Sequence, residues 1–433
     1  MSVKHIHPLL RGLTGEIKIP GDKSISHRSI MLSALGNGSV RVKNFLNGQD
    51  CLSTLTAFDA MGVQAEILSE TELIIHGVGL RGLKQPEMII NAGNSGTTLR
   101  LMLGIMAGQK FSVIFDGDSS LKRRPMNRVI DPLTLMGADI VGSAKNRYIP
   151  IKVSPVDELN GIAYDLPVAS AQVKSAILLA GLYANSPTTV IENTPSRDHT
   201  ERIMKAFGVD ITRKGRAITV KPARELVAPP EIHVPGDISS AAYFMVAATI
   251  IKGSNILLKN VGINPTRTGI IDVLRDMGAN IEILNRTESG GEEAADIRVK
   301  SANLVGTSFG EAMIPRLIDE VPIIAVAAAF AKGDTIITGA KELRVKETDR
   351  LEAITKEINK ILPGSVDSLP DGLKIHGGKN VTRAHVTSYD DHRMAMSLTV
   401  CAAAAAGAAI ENPECVDISY PGFFDTWDSM YGA

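Results

Sequence analysis

Ile19-Pro20-Gly21-Asp22-Lys23-Ser24-Ile25-Ser26 and, far downstream, Val234-Pro235-Gly236-Asp237-Ile238-Ser239-Ser240 are two copies of one pattern. Each reads as the end of a strand, a Pro-Gly turn, an Asp or Ser helix cap and a helix of small residues. Only the first copy is followed by cations, Lys23 and Arg28. A duplicated scaffold charged in one copy alone points to specialisation for an anion. The two copies are also natural chain crossings. One domain is expected over 20–235; the other joins 1–19 to 236–433, with a hinge near 19–22 and 234–237.

A second recurring element is a helix that ends in Gly and gives way to a strand. It occurs at Met61-Gly62-Val63, Met136-Gly137-Ala138, Phe207-Gly208-Val209 and Met277-Gly278-Ala279, with a weaker copy at Pro363-Gly364-Ser365. Glycine there suits the left-handed helix end that a residue with a Cβ resists. Between these punctuation points lie Ala- and Gly-rich helices, expected over 96–108, 170–184, 239–252, 322–332 and 391–406. Small side chains let helices pack closely, so these helices are expected inside and the strands outside. The reading is an α/β protein of six repeated units, three per domain. A single doubly wound sheet would need a Val/Ile-rich strand before each helix, and that regularity is missing.

At 433 residues the chain exceeds one ordinary core. Its net charge of −1 gives no global field to attract a polyanion, so an anion site must be a local cluster. Aromatic residues make up 4%, too few for platforms on which nucleic-acid bases stack. Cys51, Cys401 and Cys415 form no metal or disulfide spacing and fit a reducing cytoplasm. No secretory signal stands at 1–18, and the longest apolar run, 400–410, is about half a membrane span. His27, His199 and His392 stand apart, without metal-ligand spacing.

Five polar clusters interrupt the apolar pattern. Lys23-Ser24-Ile25-Ser26-His27-Arg28 opens a helix, where backbone N–H groups and the dipole favour a phosphate; it lacks the upstream glycine of a nucleotide-binding P-loop. The second, Asn91-Ala92-Gly93-Asn94-Ser95-Gly96-Thr97-Thr98-Leu99-Arg100, reads by itself as an ordinary turn, and the third, Asp118-Ser119-Ser120-Leu121-Lys122-Arg123-Arg124-Pro125, as a solvated loop. The fourth is Ser170-Ala171-Gln172-Val173-Lys174 with Ser196-Arg197-Asp198-His199; Ser170 can be a helix cap and nothing more. The fifth has three parts: Asp319-Glu320, Arg344 to Arg350, and Asp390-Asp391-His392-Arg393. Surface ion pairs would account for it at little energetic gain, but all three parts open apolar helices that could converge on one cleft.

In this order the clusters closely resemble the 3-phosphoshikimate 1-carboxyvinyltransferase (5-enolpyruvylshikimate-3-phosphate synthase) family, over nearly the whole chain. The resemblance implies two domains of three βαβαββ units each, an inside-out α/β barrel around buried helices that closes on its substrates. It implies transfer of the enolpyruvyl group of phosphoenolpyruvate to the 5-hydroxyl of shikimate 3-phosphate with release of phosphate, and no cofactor or metal. The expected protein is a cytoplasmic monomer of the shikimate pathway, with two small-molecule partners and neither nucleic acid nor membrane. Lys23, Ser24, Arg28, Ser170, Ala171, Gln172, Asp319 and Lys346 match positions holding shikimate 3-phosphate. In the class with Ser-Ala-Gln at 170–172, Arg197 joins them. Lys23, Gly96, Arg124, Gln172, Arg350 and Arg393 match positions holding phosphoenolpyruvate. Asp319 and Glu347, with Lys23, match the acid–base groups.

The chemistry accounts for these residue types. Two polyanions repel each other, and one ion pair at ~4 Å is worth about 4 kcal/mol at an effective dielectric of 20, so several cations are needed. Arginine pairs bidentately with carboxylate and phosphate. Glu414 stands where some members have Lys, and Glu342 where the family has Asn. Gly96 is the small residue of glyphosate-sensitive members. The sister family that loads enolpyruvate onto a UDP-amino sugar usually has a Cys in the loop matching 118–125, and none stands there. A non-catalytic anion-binding repeat protein is the other alternative, and it would gain nothing from Asp319 and Glu347 beside its ligands.

Overall fold

A computed structural model describes residues 2–430. The chain divides into two compact units. Unit 1 combines the stretch through Pro20, Gly236–Thr287 and the stretch from Glu293 onward; unit 2 comprises Gly21–Pro235 and Glu288–Glu292. The five-residue segment of unit 2 is the tip between strands Asn280–Ser289 and Glu292–Lys300, and no sequence signal marks its grouping.

Each unit has its own apolar core. In unit 2 three helices are buried along nearly their whole length: Lys23–Leu35, Gly96–Ala107 and Ala171–Gly181. In unit 1 the same place is taken by Ile238–Ile250, Val321–Ala329 and His392–Ala404. Such helices have no polar face, because helices and sheets surround them on every side. Their Ala and Gly content permits the close approach: a Cβ on Gly104 would lie 2.2 Å from the Ala176 carbonyl oxygen.

The strands form six sheets, five of four strands and one of three, and none closes into a barrel among the described residues. The repeat is plainest in the middle of unit 2. Strand Ile90–Asn91 leads through the Gly96–Ala107 helix to Val113–Asp116, its parallel neighbour, and after a second helix Asp139–Gly142 and Tyr148–Ser154 add an antiparallel hairpin. The next unit repeats this with Ala163–Leu166, Thr188–Glu192, Ile211–Lys214 and Ala217–Val220. The glycines that end the second helices, Gly62, Gly137, Gly208, Gly278 and Gly364, all have φ between +72° and +95°, the left-handed turn that sends the chain into the hairpin.

Two departures from a plain sixfold repeat stand out. Strand Thr14–Lys18 runs into the first Pro-Gly-Asp turn yet pairs with Asn255–Gly262, whereas Glu231–His233 runs into the second turn and pairs with Asn37–Lys43. At both turns the strand lies in one unit and the following helix in the other. The two turns are stitched by the same bond in each unit: Asp22 N–H donates to the Pro235 carbonyl (2.8 Å) and Asp237 N–H to the Pro20 carbonyl (2.9 Å). The sixth repeat is the other departure and corrects the expectation of six full βαβαββ units. It has only Ala384–Thr387, the buried helix and Ala408–Glu411, and the N-terminal strand Val3–Ile6 completes its sheet. The C-terminal helix Phe423–Ser429 covers the core there, with Trp427 fully buried and stacked on Phe423.

Candidate active site

Nearly every candidate residue stands at the start of a buried helix or in the loop before it, because a helix N-terminus inside an apolar core must be capped and its dipole faces outward. In unit 2, Asp22 caps the Lys23–Leu35 helix by accepting from Ile25 N–H (2.9 Å). Ser95 and Ser170 cap the other two core helices, accepting from Thr98 and Val173 N–H. Lys23, Gly96 and Ala171 are thus the first residues of three helices in one core.

The unit 2 cations are held, not loose. Lys23 Nζ pairs with Asp50 at 3.1 Å. Arg28 is buried and uses all its nitrogens: Nε donates to Thr200 Oγ1 (2.6 Å), Nη1 to the Ser24 carbonyl (2.9 Å) and Nη2 to Ser175 Oγ (2.9 Å). Burial pushes the Arg28 guanidinium down to about 10 against the pull of Glu201 and Asp22, and Arg197 pushes the same way. It remains protonated at neutral pH. His27, next to it, is held well below its usual range by burial and then by Lys23 and Arg28, and is neutral. Its Nδ1 meets Thr54 Oγ1 at 2.7 Å.

A second knot surrounds Gly96. Gln172 accepts from Arg100 Nη1 (2.6 Å) and donates to Thr97 Oγ1 (3.0 Å), which fixes the orientation of its amide. Arg124 is anchored by Asn94 Oδ1 (2.7 Å) and Ser120 Oγ (3.2 Å). A Cβ at Gly96 would stand 3.2 Å from Arg100 Nη1 and 3.5 Å from Arg124 Nη1. The bare backbone therefore keeps open the space between two guanidinium groups.

In unit 1 the three-part cluster does converge. Asp319, in a short turn before the Val321–Ala329 helix, faces Arg350 Nη1 (3.4 Å), Lys346 Nζ (3.7 Å) and Arg393 Nη2 (3.7 Å). Arg393 also donates to the Asp319 carbonyl at 3.3 Å. Arg350 pairs with Glu347 at 2.6 Å and with both oxygens of Asp391, at 2.8 and 3.2 Å. Burial works against the charge of Arg350, but Asp391 and Glu347 outweigh it and hold the group above its ordinary value. For Arg393 burial is likewise outweighed, chiefly by Asp319.

Asp391 is legible in the sequence as a helix cap, but not as a partner of Arg350. Asp391 both caps the His392–Ala404 helix, accepting from Arg393 N–H (2.9 Å), and forms the fork on Arg350. Asp50, Thr200 and Ser175 hold Lys23 and Arg28 from distant parts of the chain, and nothing local signals them. The second Pro-Gly-Asp copy, read as uncharged, has its cation from elsewhere: Arg267 Nη2 donates to Ser239 Oγ (2.7 Å), and Ser239 in turn donates to Glu320. Glu414 is exposed and accepts from Ser2 Oγ.

Fold and site together define a class: two repeat-built α/β units whose capped helix starts concentrate Arg, Lys and carboxylates, as an enzyme acting on small polyanions requires. The model of the family described as "EPSP synthase (3-phosphoshikimate 1-carboxyvinyltransferase)" matches residues 10–427. A relative from Desulforudis audaxviator, named 3-phosphoshikimate 1-carboxyvinyltransferase, is 51% identical over 421 residues, 97% of each chain. One of the same name from Desulforamulus reducens is 50% identical over the same share. The solved EPSP synthase of Acinetobacter baumannii superposes with a TM-score of 0.90 at 43% identity, covering 100% of this chain and 98% of that one. The enolpyruvyl transferase NikO from Streptomyces tendae, at 15% identity and a TM-score of 0.78, shares the fold. The chain belongs to the EPSP synthase family. No helix among the described residues is long and apolar enough to cross a membrane.

Proposed function

We propose that this protein transfers the enolpyruvyl group of phosphoenolpyruvate to the 5-hydroxyl of shikimate 3-phosphate and releases inorganic phosphate. The observation that carries the reading is Asp319, a carboxylate facing three cations, in a chain about half identical to relatives named for this reaction. Lys23, Ser24, Arg28, Ser170, Ala171, Gln172, Arg197, Asp319 and Lys346 are assigned to the acceptor. Gly96, Arg124, Gln172, Lys23, Arg350 and Arg393 serve phosphoenolpyruvate.

Asp319 accepts the hydroxyl proton as the oxygen attacks C2 of phosphoenolpyruvate. Glu347 and Lys23 deliver a proton to the methylene carbon, then assist phosphate departure as that carbon gives a proton up again. The cations offset the repulsion between the substrates in advance of the chemistry. The reading includes a monomer acting on small anions in a reducing cytoplasm, which three buried cysteines outside any disulfide fit.

The test is phosphate release. Phosphoenolpyruvate with shikimate 3-phosphate is expected to give one phosphate per product, and phosphoenolpyruvate with a UDP-amino sugar none; the reverse result would overturn the reading. Because Gly96 leaves the guanidinium groups uncovered, glyphosate is expected to inhibit in competition with phosphoenolpyruvate. Undiminished turnover at high glyphosate and low phosphoenolpyruvate contradicts this.

A further inference from the structure

Lys174 lies two residues beyond Gln172 but does not join the polar surface of the site. Its side chain is fully buried, and its Nζ sits 3.2 Å from Glu192 and 2.7 Å from Glu201. It also donates to the Ser196 carbonyl at 3.5 Å. Glu192 in turn accepts from Ser196 N–H (3.1 Å) and from the Ser196 hydroxyl. Lys174 therefore ties the end of strand Thr188–Glu192 to the loop before Arg197. It also ties that loop to the His199–Ala206 helix, which carries both Glu201 and Thr200. Thr200 is the residue that takes Arg28 Nε, and it shares a 2.6 Å hydrogen bond with Ser175, another partner of Arg28 and the residue after Lys174.

The charge balance has a consequence for anion binding. Glu201 acts on Arg28 strongly enough to be the leading carboxylate in its surroundings. Burial raises the Glu201 carboxyl above its ordinary value and Lys174 works against that shift; a Glu201 that kept its charge without Lys174 would draw on Arg28 and repel a phosphate placed there. Glu192 is less dependent, since Arg213 reaches it at 3.4 Å. We propose that Lys174 is a positioning residue for acceptor recognition: it balances the charge of Glu201 and fixes the Ser196–Thr200 segment, so that the positive charge of Arg28 and Arg197 serves the phosphate of the acceptor. This rests on the assignment of Arg28 and Arg197 to that phosphate.

The experiment compares KM values for both substrates in the full-length enzyme. Lys174→Met is expected to raise KM for shikimate 3-phosphate at least tenfold while KM for phosphoenolpyruvate stays within twofold. The double variant Lys174→Met/Glu201→Gln removes the stranded charge and is expected to recover most of that loss. A folded Lys174→Met enzyme with unchanged acceptor KM, an equal rise in both KM values, or no recovery in the double variant overturns the proposal. Should Lys174→Met not fold, Glu201→Gln decides: with the ammonium kept and a facing charge removed, acceptor KM is expected to fall two- to fivefold, and an unchanged or higher value overturns the proposal. A wild-type enzyme that does not turn over shikimate 3-phosphate would instead overturn the functional reading on which it rests.

Discussion

Asp319 shows how one side chain can be specified by its surroundings. Three cations converge on it, and Arg393 additionally holds its backbone carbonyl, so its carboxylate is aimed as well as charged. Asp319→Asn keeps the shape and removes the proposed base. Turnover is expected to fall by at least ~100-fold, with both KM values changed little. Near-normal kcat with intact binding would move the proton transfer to another group. Gly96→Ala tests the opposite kind of constraint, the absence of a side chain. Its methyl would crowd Arg100 and Arg124, so KM for phosphoenolpyruvate is expected to rise severalfold while acceptor KM holds, as initial-rate kinetics would show. Neither role can be read from the residue alone: an Asp before an apolar helix is ordinarily a cap, and a Gly beside Asn and Ser is ordinarily a turn.

At the scale of the helix and the strand, capping and charge pairing draw on the same residues. Asp391 satisfies the first turn of a buried helix and, with the same carboxylate, the fork of a buried Arg350. Asp391→Asn keeps the cap acceptor but leaves that guanidinium poorly compensated. A loss of roughly 3 kcal/mol in urea unfolding is expected, the usual result of breaking a buried pair from one side. A loss within error would mean that Glu347 and Asp319 suffice. The sheet of strands Asp334–Ile337, Val366–Leu369 and Gly372–His376 carries a separate pH effect. His376 bridges Asp334 (3.0 Å) and Asp367 (2.9 Å), and Asp367 first, then Asp334, raises its pKa above 6.5. A raised folded-state value gives stability that is full below pH 6.5 and lost as pH rises through the folded value. The Tm advantage of wild type over His376→Gln is therefore expected to be largest near pH 6 and to shrink as pH rises above 6.5. A difference constant over that range would show that the imidazole acts by packing alone.

The whole chain places its cations locally while its net charge stays at −1. Binding of a small anion should thus stabilise it by mass action, without broad electrostatic effects. Shikimate 3-phosphate at a hundred times its Kd is expected to add about 2.7 kcal/mol, a rise of about 3 °C in Tm for a chain this long. No shift in a melting scan, under conditions where turnover is measured, would contradict acceptor binding to the free enzyme.

The local rules of the fold were legible in advance. The five helix-ending glycines, the Pro-Gly-Asp turns and the small-residue helices each answer to a backbone or packing constraint within a few residues, and each stands where the sequence puts it. What lay beyond reach depended on separation along the chain. The exchange of strands at the two turns, the completion of the sixth sheet by Val3–Ile6, and the holding of Arg28 by Thr200 join segments that no periodicity links. Lys174 makes the contrast plain. Sequence offers it as one more cation beside the site, whereas the folded chain buries it between two carboxylates. Which residue types open the helices is set locally, because capping and turn geometry are short-range. Which of their charges pair with each other follows from the fold, because pairing across a core depends on how distant elements pack.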